Sequence, residues 1–84
     1  MFEIVFSDKA LKQLSKLEKP LQERIINSLE RIRIRPEAYL TKLVGDSAYK
    51  LRVGDYRVLI DLDKTKLLIL VIKIGHRRNI YENL

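Results

Sequence analysis

The sequence contains no cysteine and only one histidine among its 84 residues. Without cysteine the chain can form neither disulfides nor thiolate metal sites, and this composition fits a reducing cytosol. The longest uncharged apolar run, residues 67–72, is far too short to span a bilayer. The first residues lack the long apolar run and small-residue cleavage site of a signal peptide. We therefore expect a single domain over residues 1–84, located in the cytoplasm and not bound to a membrane.

Positive charge is in excess and is unevenly distributed. The net charge is +6, from 17 Lys and Arg against 11 Asp and Glu. Residues 1–48 hold nine cations and seven anions, whereas residues 49–84 hold eight cations and four anions. A basic surface favours anionic partners such as nucleic acid, a membrane or an acidic protein. The second half of the chain is therefore where we expect such a partner to bind.

The spacing of apolar residues changes from a helical period to a period of two along the chain. Residues 7–34 show helical spacing, with Ser7 as an N-cap, Pro20 at a helix start and Pro36 as a stop signal. Period-two or continuous apolar segments predict four strands, at residues 2–6, 48–53, 56–62 and 66–75. The order β-α-α-β-β-β predicts an α+β fold, in which a helical hairpin packs on one face of a mainly antiparallel four-stranded sheet.

The dipeptide Gly54-Asp55 is suited to a two-residue type II′ turn. Counting outward from this turn places Arg52 opposite Arg57, and alternation points both side chains, with Lys50, away from the helices. Like charges that face each other across a ladder cost a few tenths to about 1 kcal/mol, and such a clash is typical of anion-binding sites. The alternative is that both side chains extend into water. If the last strand neighbours residues 56–62, the cations after Gly75 join the same patch.

Two stretches in combination, YKLRVGDYRVLID at residues 49–61 and IGHRRNIYE at residues 74–82, resemble the RelE/ParE superfamily of toxins from toxin–antitoxin pairs. The resemblance covers nearly the whole chain and is greatest to the RelE branch. It implies a compact fold like that of small microbial ribonucleases, and a toxin that a partner antitoxin holds inactive. RelE-branch members cut mRNA in the ribosomal decoding site, whereas ParE-branch members poison DNA gyrase with the same fold.

The resemblance also implies roles for individual residues. Lys50 matches a basic catalytic position, and Arg57 matches the arginine that stabilises the scissile phosphate. Arg77 matches a catalytic cation near the leaving oxygen, and Tyr81 matches the tyrosine that stacks on a base or orients it. Well-studied members carry Lys-x-Lys, and in this chain the first of these positions is Ala48. This departure bears on the identity of the general base.

Three further side chains are expected to contact the substrate: Arg52, Arg78 and His76. Repulsion within a cluster of cations favours the neutral form of one lysine, which makes Lys50 a candidate general base. Arginines would supply bidentate contacts to the phosphate, and a tyrosine would stack on a base. The aspartates at positions 55, 61 and 63 lie near turns, which indicates a role in turn formation or solubility and no metal site.

The leading prediction is a metal-independent, cofactor-free mRNA endonuclease (mRNA interferase) that acts in the ribosomal decoding site. Its expected protein partner is an acidic antitoxin, because the chain combines basic and apolar surface. The first alternative is a DNA gyrase inhibitor without nuclease activity. The second alternative is a catalytically inert basic module that binds nucleic acid or only its antitoxin.

Overall fold

The computed structural model describes residues 1–45 and 47–80, which form two helices on one face of a five-stranded sheet. The elements are β1 (Glu3–Phe6), α1 (Asp8–Ser15), α2 (Lys19–Arg31), a 3-10 helix (Pro36–Ala38), β2 (Thr41–Lys42), β3 (Tyr49–Val53), β4 (Tyr56–Asp63) and β5 (Leu68–His76). The strand order is β1-β5-β4-β3-β2. Strand β1 is parallel to β5, and the other neighbours are antiparallel. The α+β prediction is confirmed.

The sheet has one strand more than predicted. Strand β2 lies between Pro36 and residue 48, where no element was predicted, and pairs Thr41 with Lys50 and Lys42 with Tyr49 on β3. A strand of two exposed residues has no burial pattern that alternation could reveal. Its effect on the site is that β3, which carries Lys50 and Arg52, is an interior strand of the sheet.

Both helices begin where their sequence signals predict. The Ser7 hydroxyl accepts a hydrogen bond from the Ala10 amide at 3.0 Å, which caps α1, and Asp8 occupies the first turn. Pro20 lies in the first turn of α2, where a proline removes no helical hydrogen bond. In the described part of the chain, neither helix has the combination of length and hydrophobicity that crossing a bilayer requires.

Helix α2 ends at Arg31, before the predicted end at residue 34. The chain leaves the helix there because it joins the start of the sheet. The Phe2 amide donates to the Arg33 carbonyl at 2.9 Å, and Arg33 Nε donates to the Phe2 carbonyl at 2.8 Å. These two bonds satisfy backbone groups at the N-terminal end of β1 and fix α2 against it. Pro36 then begins the 3-10 helix, as a residue that cannot continue an α-helix can do.

The main core lies between the helices and the sheet. Its buried members are Ala10, Leu14, Ile25, Leu29 and Ile32 from the helical segment, and Leu51, Val53, Val58, Ile60, Ile69, Val71 and Ile74 from the strands. Buried leucine, isoleucine and valine side chains each contribute roughly 1.5–3 kcal/mol relative to an exposed state. The core therefore fixes which side chains of β3, β4 and β5 point toward the helices and which point away.

Strand β5 contains a bulge that changes which of its side chains face the core. Leu59 of β4 pairs with Lys73, but the next residue, Ile60, pairs with Val71, so Ile72 is an extra residue. Val71 and Ile74 both point into the core, although strict alternation would put residues 71 and 73 on one face. The bulge therefore brings Ile74 into the core and turns Lys73 to the opposite face.

Helix α1 and its N-cap Ser7 form hydrogen bonds with this part of β5, beyond the end of β1. The Ser7 amide donates to the Val71 carbonyl at 2.9 Å, and the Ser7 hydroxyl donates to the Ile72 carbonyl at 2.8 Å. The Ile74 amide donates to Gln13 Oε1 at 2.7 Å. Ser7 and Gln13 thus satisfy the backbone of the bulge, which would otherwise lack partners beyond the end of β1.

This arrangement gives a stability prediction for Gln13. Replacing Gln13 with leucine is expected to lower the free energy of unfolding by about 1–3 kcal/mol, because the part-buried Ile74 amide loses its acceptor. Urea denaturation measures the change. Gln13→Glu is the control, since a carboxylate oxygen can still accept the bond. A leucine variant as stable as the original chain would contradict the role assigned to this bond.

Candidate functional site

The face of the sheet opposite the helices, called the open face below, carries two rows of side chains across β3, β4 and β5. The row nearest the β3–β4 turn consists of Arg52, Arg57 and Gly75, and the next row consists of Lys50, Leu59 and Lys73. The predicted pairing of Arg52 with Arg57 is confirmed, and Val53 pairs with Tyr56. The open face therefore holds four cations on three adjacent strands.

The turn between β3 and β4 has the predicted type. Gly54 has a φ of 58°, and Asp55 is not among the described residues with positive φ, as a type II′ turn requires. A Cβ at Gly54 would lie 3.2 Å from Arg24 Nη1 on α2, so a side chain would also crowd that guanidinium. The backbone conformation therefore favours glycine, whereas the exposed end of the Arg24 side chain can shift to make room.

Arg57 is held by the backbone of this turn. Its Nη1 donates to the Gly54 carbonyl and to the Tyr56 carbonyl, each at 2.9 Å. The side chain is half-buried. Because both bonds use Nη1, Nη2 and Nε remain as donors for a phosphate, in the planar geometry that suits bidentate contact. The turn therefore orients the Arg57 guanidinium before any ligand binds.

Arg52 faces Arg57 directly and is exposed to solvent. Opposed residues on neighbouring antiparallel strands have Cβ atoms about 4.5–5.5 Å apart, which makes two like charges unfavourable there. We expect Arg52→Glu to raise the free energy of unfolding by about 0.5–1.5 kcal/mol, because attraction to Arg57 replaces repulsion. Urea denaturation at low salt measures this, and Arg52→Gln should give a smaller rise. Equal stability for the Glu and Gln variants would show that the two guanidinium groups do not interact.

Arg77 follows β5 and is fastened to the same turn. Its amide donates to the Asp55 carbonyl at 2.8 Å, and its Nε lies 4.0 Å from Asp55 Oδ1. The side chain is 54% exposed, so this ion pair is weak and a stronger anion can displace it. One two-residue turn therefore positions the backbone of Arg77 and the side chain of Arg57.

The segment after β5 folds back over the open face at Gly75. A Cβ at Gly75 would lie 3.1 Å from Ile80 Cδ1, which shows that Ile80 occupies the space a side chain would need. Ile80 is 1% exposed and Leu59 is 0% exposed, yet neither belongs to the main core. The open face therefore has an apolar component as well as its cations, and Ile80 holds residues 77–80 close to Arg57.

His76 is placed differently from the cations. It pairs with Tyr56, and the two rings meet edge to face with centroids 5.6 Å apart. Tyr56 packs against the main core, so the register puts His76 at the rim of the helix-bearing face. The Arg78 amide donates to His76 Nδ1 at 3.2 Å, which leaves Nε2 as the protonated nitrogen of the neutral ring. Its substrate contact and that of Arg78 stay predictions.

The structure brings together four of the predicted site residues, and a fifth lies outside the part of the chain that it describes. Lys50, Arg52, Arg57 and Arg77 are brought together by the β3–β4 hairpin and the end of β5. Tyr81 lies outside the described residues. Ala48 is buried just before β3.

Within residues 1–45 and 47–80, no three histidine, aspartate or glutamate side chains lie close enough to hold a metal ion. The sequence did not assign a role to Lys73 or Ile80, since the face of Lys73 depends on a bulge and the burial of Ile80 follows no periodic pattern.

Comparison with known proteins identifies the family. A family model described as the ParE toxin of type II toxin–antitoxin systems (parDE) matches residues 4–81. A sequence search of the curated proteins finds no significant match. The chain is similar to a chain of the intact RelBE toxin–antitoxin complex from E. coli, with 30% identity, a TM-score of 0.77, and coverage of 90% of this chain and 96% of that one.

Two other solved structures extend this likeness. The isolated RelE toxin from E. coli is 27% identical with a TM-score of 0.79, over 90% of this chain and 84% of that chain. A chain of the RelBE2 toxin–antitoxin complex from Mycobacterium tuberculosis shares the fold, with 19% identity and a TM-score of 0.82, over 90% and 98% of the two chains. The protein therefore belongs to the ParE toxin family of the RelE/ParE superfamily, and is the toxin of a toxin–antitoxin pair.

Proposed function

We propose that this toxin is an mRNA endonuclease that acts on the ribosome and thereby inhibits translation. The observation that supports this proposal is the open face, on which Lys50, Arg52 and Arg57 lie on adjacent strands beside Arg77. A phosphodiester that reacts through a pentavalent phosphorane needs positive charge fixed in advance around the phosphate. The β3–β4 turn fixes that charge through the bonds it makes to Arg57 and to Arg77.

The proposed reaction is an internal transfer at one phosphate. Lys50, in its neutral form, takes the proton of the 2′-hydroxyl, and the 2′-oxygen forms a bond to phosphorus. The bond from phosphorus to the 5′-oxygen breaks, which leaves a 2′,3′-cyclic phosphate on one product. Arg57 and Arg52 stabilise the extra negative charge on the phosphorane, and Arg77 stabilises the departing 5′-oxygen, which takes a proton from solvent. Tyr81 would stack on a neighbouring base.

Primer extension on a defined mRNA tests the proposal, with and without ribosomes. Cleavage that requires ribosomes and leaves a 2′,3′-cyclic phosphate, or the 3′-phosphate formed from it, is expected. The chemistry proposed uses no metal ion, so a transition-metal chelator that leaves ribosomal Mg²⁺ in place should not slow the reaction. Intact mRNA in the presence of folded toxin would overturn the proposal.

Inhibition of DNA gyrase is the second candidate function. It is favoured by the matching family model, which is that of the ParE toxin, and by Ala48 at a position where Lys-x-Lys would put a lysine. A supercoiling assay run beside primer extension separates the two activities. Loss of supercoiling with intact mRNA would support gyrase inhibition. A toxin inactive in both assays that still binds its antitoxin would support an inert binding module.

We also propose an acidic antitoxin as the protein partner. The similar chains from E. coli and M. tuberculosis belong to toxin–antitoxin complexes, and this chain offers surface that a partner would cover. Val5 of the edge strand β1 is 43% exposed, and so are Leu67, just before the neighbouring strand β5, and Ile72 within that strand. An amphipathic segment would cover these apolar side chains while its carboxylates contact the arginines of the open face. Co-expression of the native locus and affinity purification of the toxin tests this. Recovery of this protein alone from cells that it does not harm, with no bound partner, would contradict the proposal.

A further inference from the structure

We propose that Lys73 is an additional RNA-contacting residue, whose ammonium binds the phosphate next to the one held by Arg57. This inference rests on the proposed function and adds a residue that neither the motif nor the pattern of the sequence assigned. It follows from the bulge in β5, because only the extra residue Ile72 turns Lys73 away from the core and onto the open face.

The position of Lys73 follows from two registers. Lys73 pairs with Leu59, which in turn pairs with Lys50, so the two lysines flank Leu59 on the same face. The Arg57–Gly75 pair is two residues nearer the turn. With a rise of about 3.3 Å per residue and strands about 4.8 Å apart, the Cα atoms of Lys73 and Arg57 lie roughly 8 Å from each other. A phosphate adjacent to one bound at Arg57 is within reach of a lysine side chain at this distance.

The construction of the bulge supports a functional placement of this lysine. Bulges are over-represented beside active sites, where they redirect a side chain. Here the bulge interrupts the pairing with β4, and backbone groups of the bulged segment bond to the N-cap Ser7 and to Gln13 of α1. A regular strand would direct Lys73 into the core, where an ammonium is costly. The bulge instead yields a half-buried lysine beside the reacting phosphate proposed above.

The expected contribution is to binding and not to the chemical step. A contact to a flanking phosphate exists both before and during the reaction, so its loss weakens binding without changing the barrier from the bound state. A variant without this contact also releases about one fewer counterion when it binds. The slope of log affinity against log salt concentration therefore becomes less steep by about one unit. Because a phosphate contact carries no sequence information, the pattern of cleavage sites should not change.

Single-turnover cleavage of mRNA on programmed ribosomes, titrated with toxin, tests the inference. Lys73→Met, which keeps an apolar stem over the sheet, and Lys73→Gln should each raise the half-saturating toxin concentration about 3–10-fold, with the maximal rate within about twofold. Lys73→Arg should restore binding. Lys12→Gln on the exposed surface of α1 is the matched control and should change neither quantity. Thermal unfolding of each variant confirms that it is folded.

The outcomes separate this inference from the function on which it rests. If the original chain cleaves mRNA but both Lys73 variants show an unchanged half-saturating concentration and salt dependence, Lys73 does not contact the RNA, while the nuclease function stands. A fall in maximal rate alone would also overturn the inference, because it would place Lys73 in the chemical step. If the original chain does not cleave mRNA, the nuclease proposal and the role of Lys73 both fail.

Discussion

Arg57→Gln is expected to lower the maximal rate of mRNA cleavage on the ribosome by about 10²–10³-fold, the cost of removing one pre-oriented donor to a developing negative charge. The guanidinium is already oriented by two bonds from Nη1 to turn carbonyls, so its remaining donors act without reorganisation. Arg57→Lys keeps the charge but loses the planar fork. Its ammonium cannot bond to the turn carbonyls and the phosphate in the geometry that the guanidinium allows. We therefore expect a cleavage rate between those of the original chain and Arg57→Gln.

Two controls accompany this prediction: an arginine substitution away from the site, and the stability of the Arg57→Gln variant itself. Arg31→Gln removes an arginine from the exposed end of α2, in the helical layer, and should leave cleavage unchanged. Arg57→Gln relieves repulsion with Arg52 but loses two hydrogen bonds, so the free energy of unfolding should change by less than about 1 kcal/mol. Wild-type cleavage by a folded Arg57→Gln variant would remove Arg57 from the site.

Gly75→Val is expected to lower the free energy of unfolding by about 1–3 kcal/mol and to reduce cleavage as well. Even a bare Cβ would lie 3.1 Å from Ile80 Cδ1, and the branched side chain of valine would displace Ile80. The displaced segment includes Arg77, so the cation proposed to stabilise the leaving oxygen would move. Gly75→Ala should cost less, because the end of the Ile80 side chain can shift by a few tenths of an ångström. Urea denaturation and single-turnover cleavage measure the two effects.

A double-mutant cycle shows whether these effects arise from the Gly75–Ile80 contact. Ile80→Ala alone should destabilise the chain by about 2–5 kcal/mol, since Ile80 is almost fully buried. In the double variant, the valine at position 75 would occupy space that the shortened side chain vacates. The loss should therefore be smaller than the sum of the two single losses. Strict additivity would mean that Gly75 and Ile80 are not coupled.

The sequence was most informative around the hairpin that carries the cations. Gly54-Asp55 specifies a two-residue turn, and a turn of known length sets the pairing of every residue in the strands that it joins. From that one dipeptide, Arg52 and Arg57 could be placed opposite each other on the face away from the helices. Alternation through the hairpin then puts Leu51 and Val53 of β3, with Val58 and Ile60 of β4, on the opposite face, and all four lie in the main core.

The face of Lys73 and the end of α2 could not be predicted from the sequence, because both depend on contacts between segments that are distant along the chain. The burial of Ile80 could not be predicted either. The face taken by Lys73 depends on a bulge, and the bulged segment is hydrogen-bonded to Ser7 and Gln13. Each of these residues lies more than 60 positions before its partner, Ile72 or Ile74. The end of α2 depends on Phe2, which pairs with Arg33. The cover over Gly75 depends on Ile80, whose burial no local pattern signals. For Lys73 and the end of α2, a local rule was overridden by hydrogen bonding at long range, whereas Ile80 contacts a residue only five positions away.

The pairing of β1 with β5 has a consequence for how the chain matures. These strands lie side by side in parallel, although their contacts join residues 65 positions apart, as Ser7 and Ile72 are. Contacts of such long sequence separation form late and slowly, since the chain between them must be ordered first. Synthesis delivers β1 before β5, so until β5 emerges the nascent polypeptide lacks the strand that joins β1 to the rest of the sheet. We expect a chain truncated before Leu68 to show no cooperative thermal transition. A protein whose proposed target is the ribosome would thus acquire its folded, cationic surface only after β5 has left the ribosome that makes it.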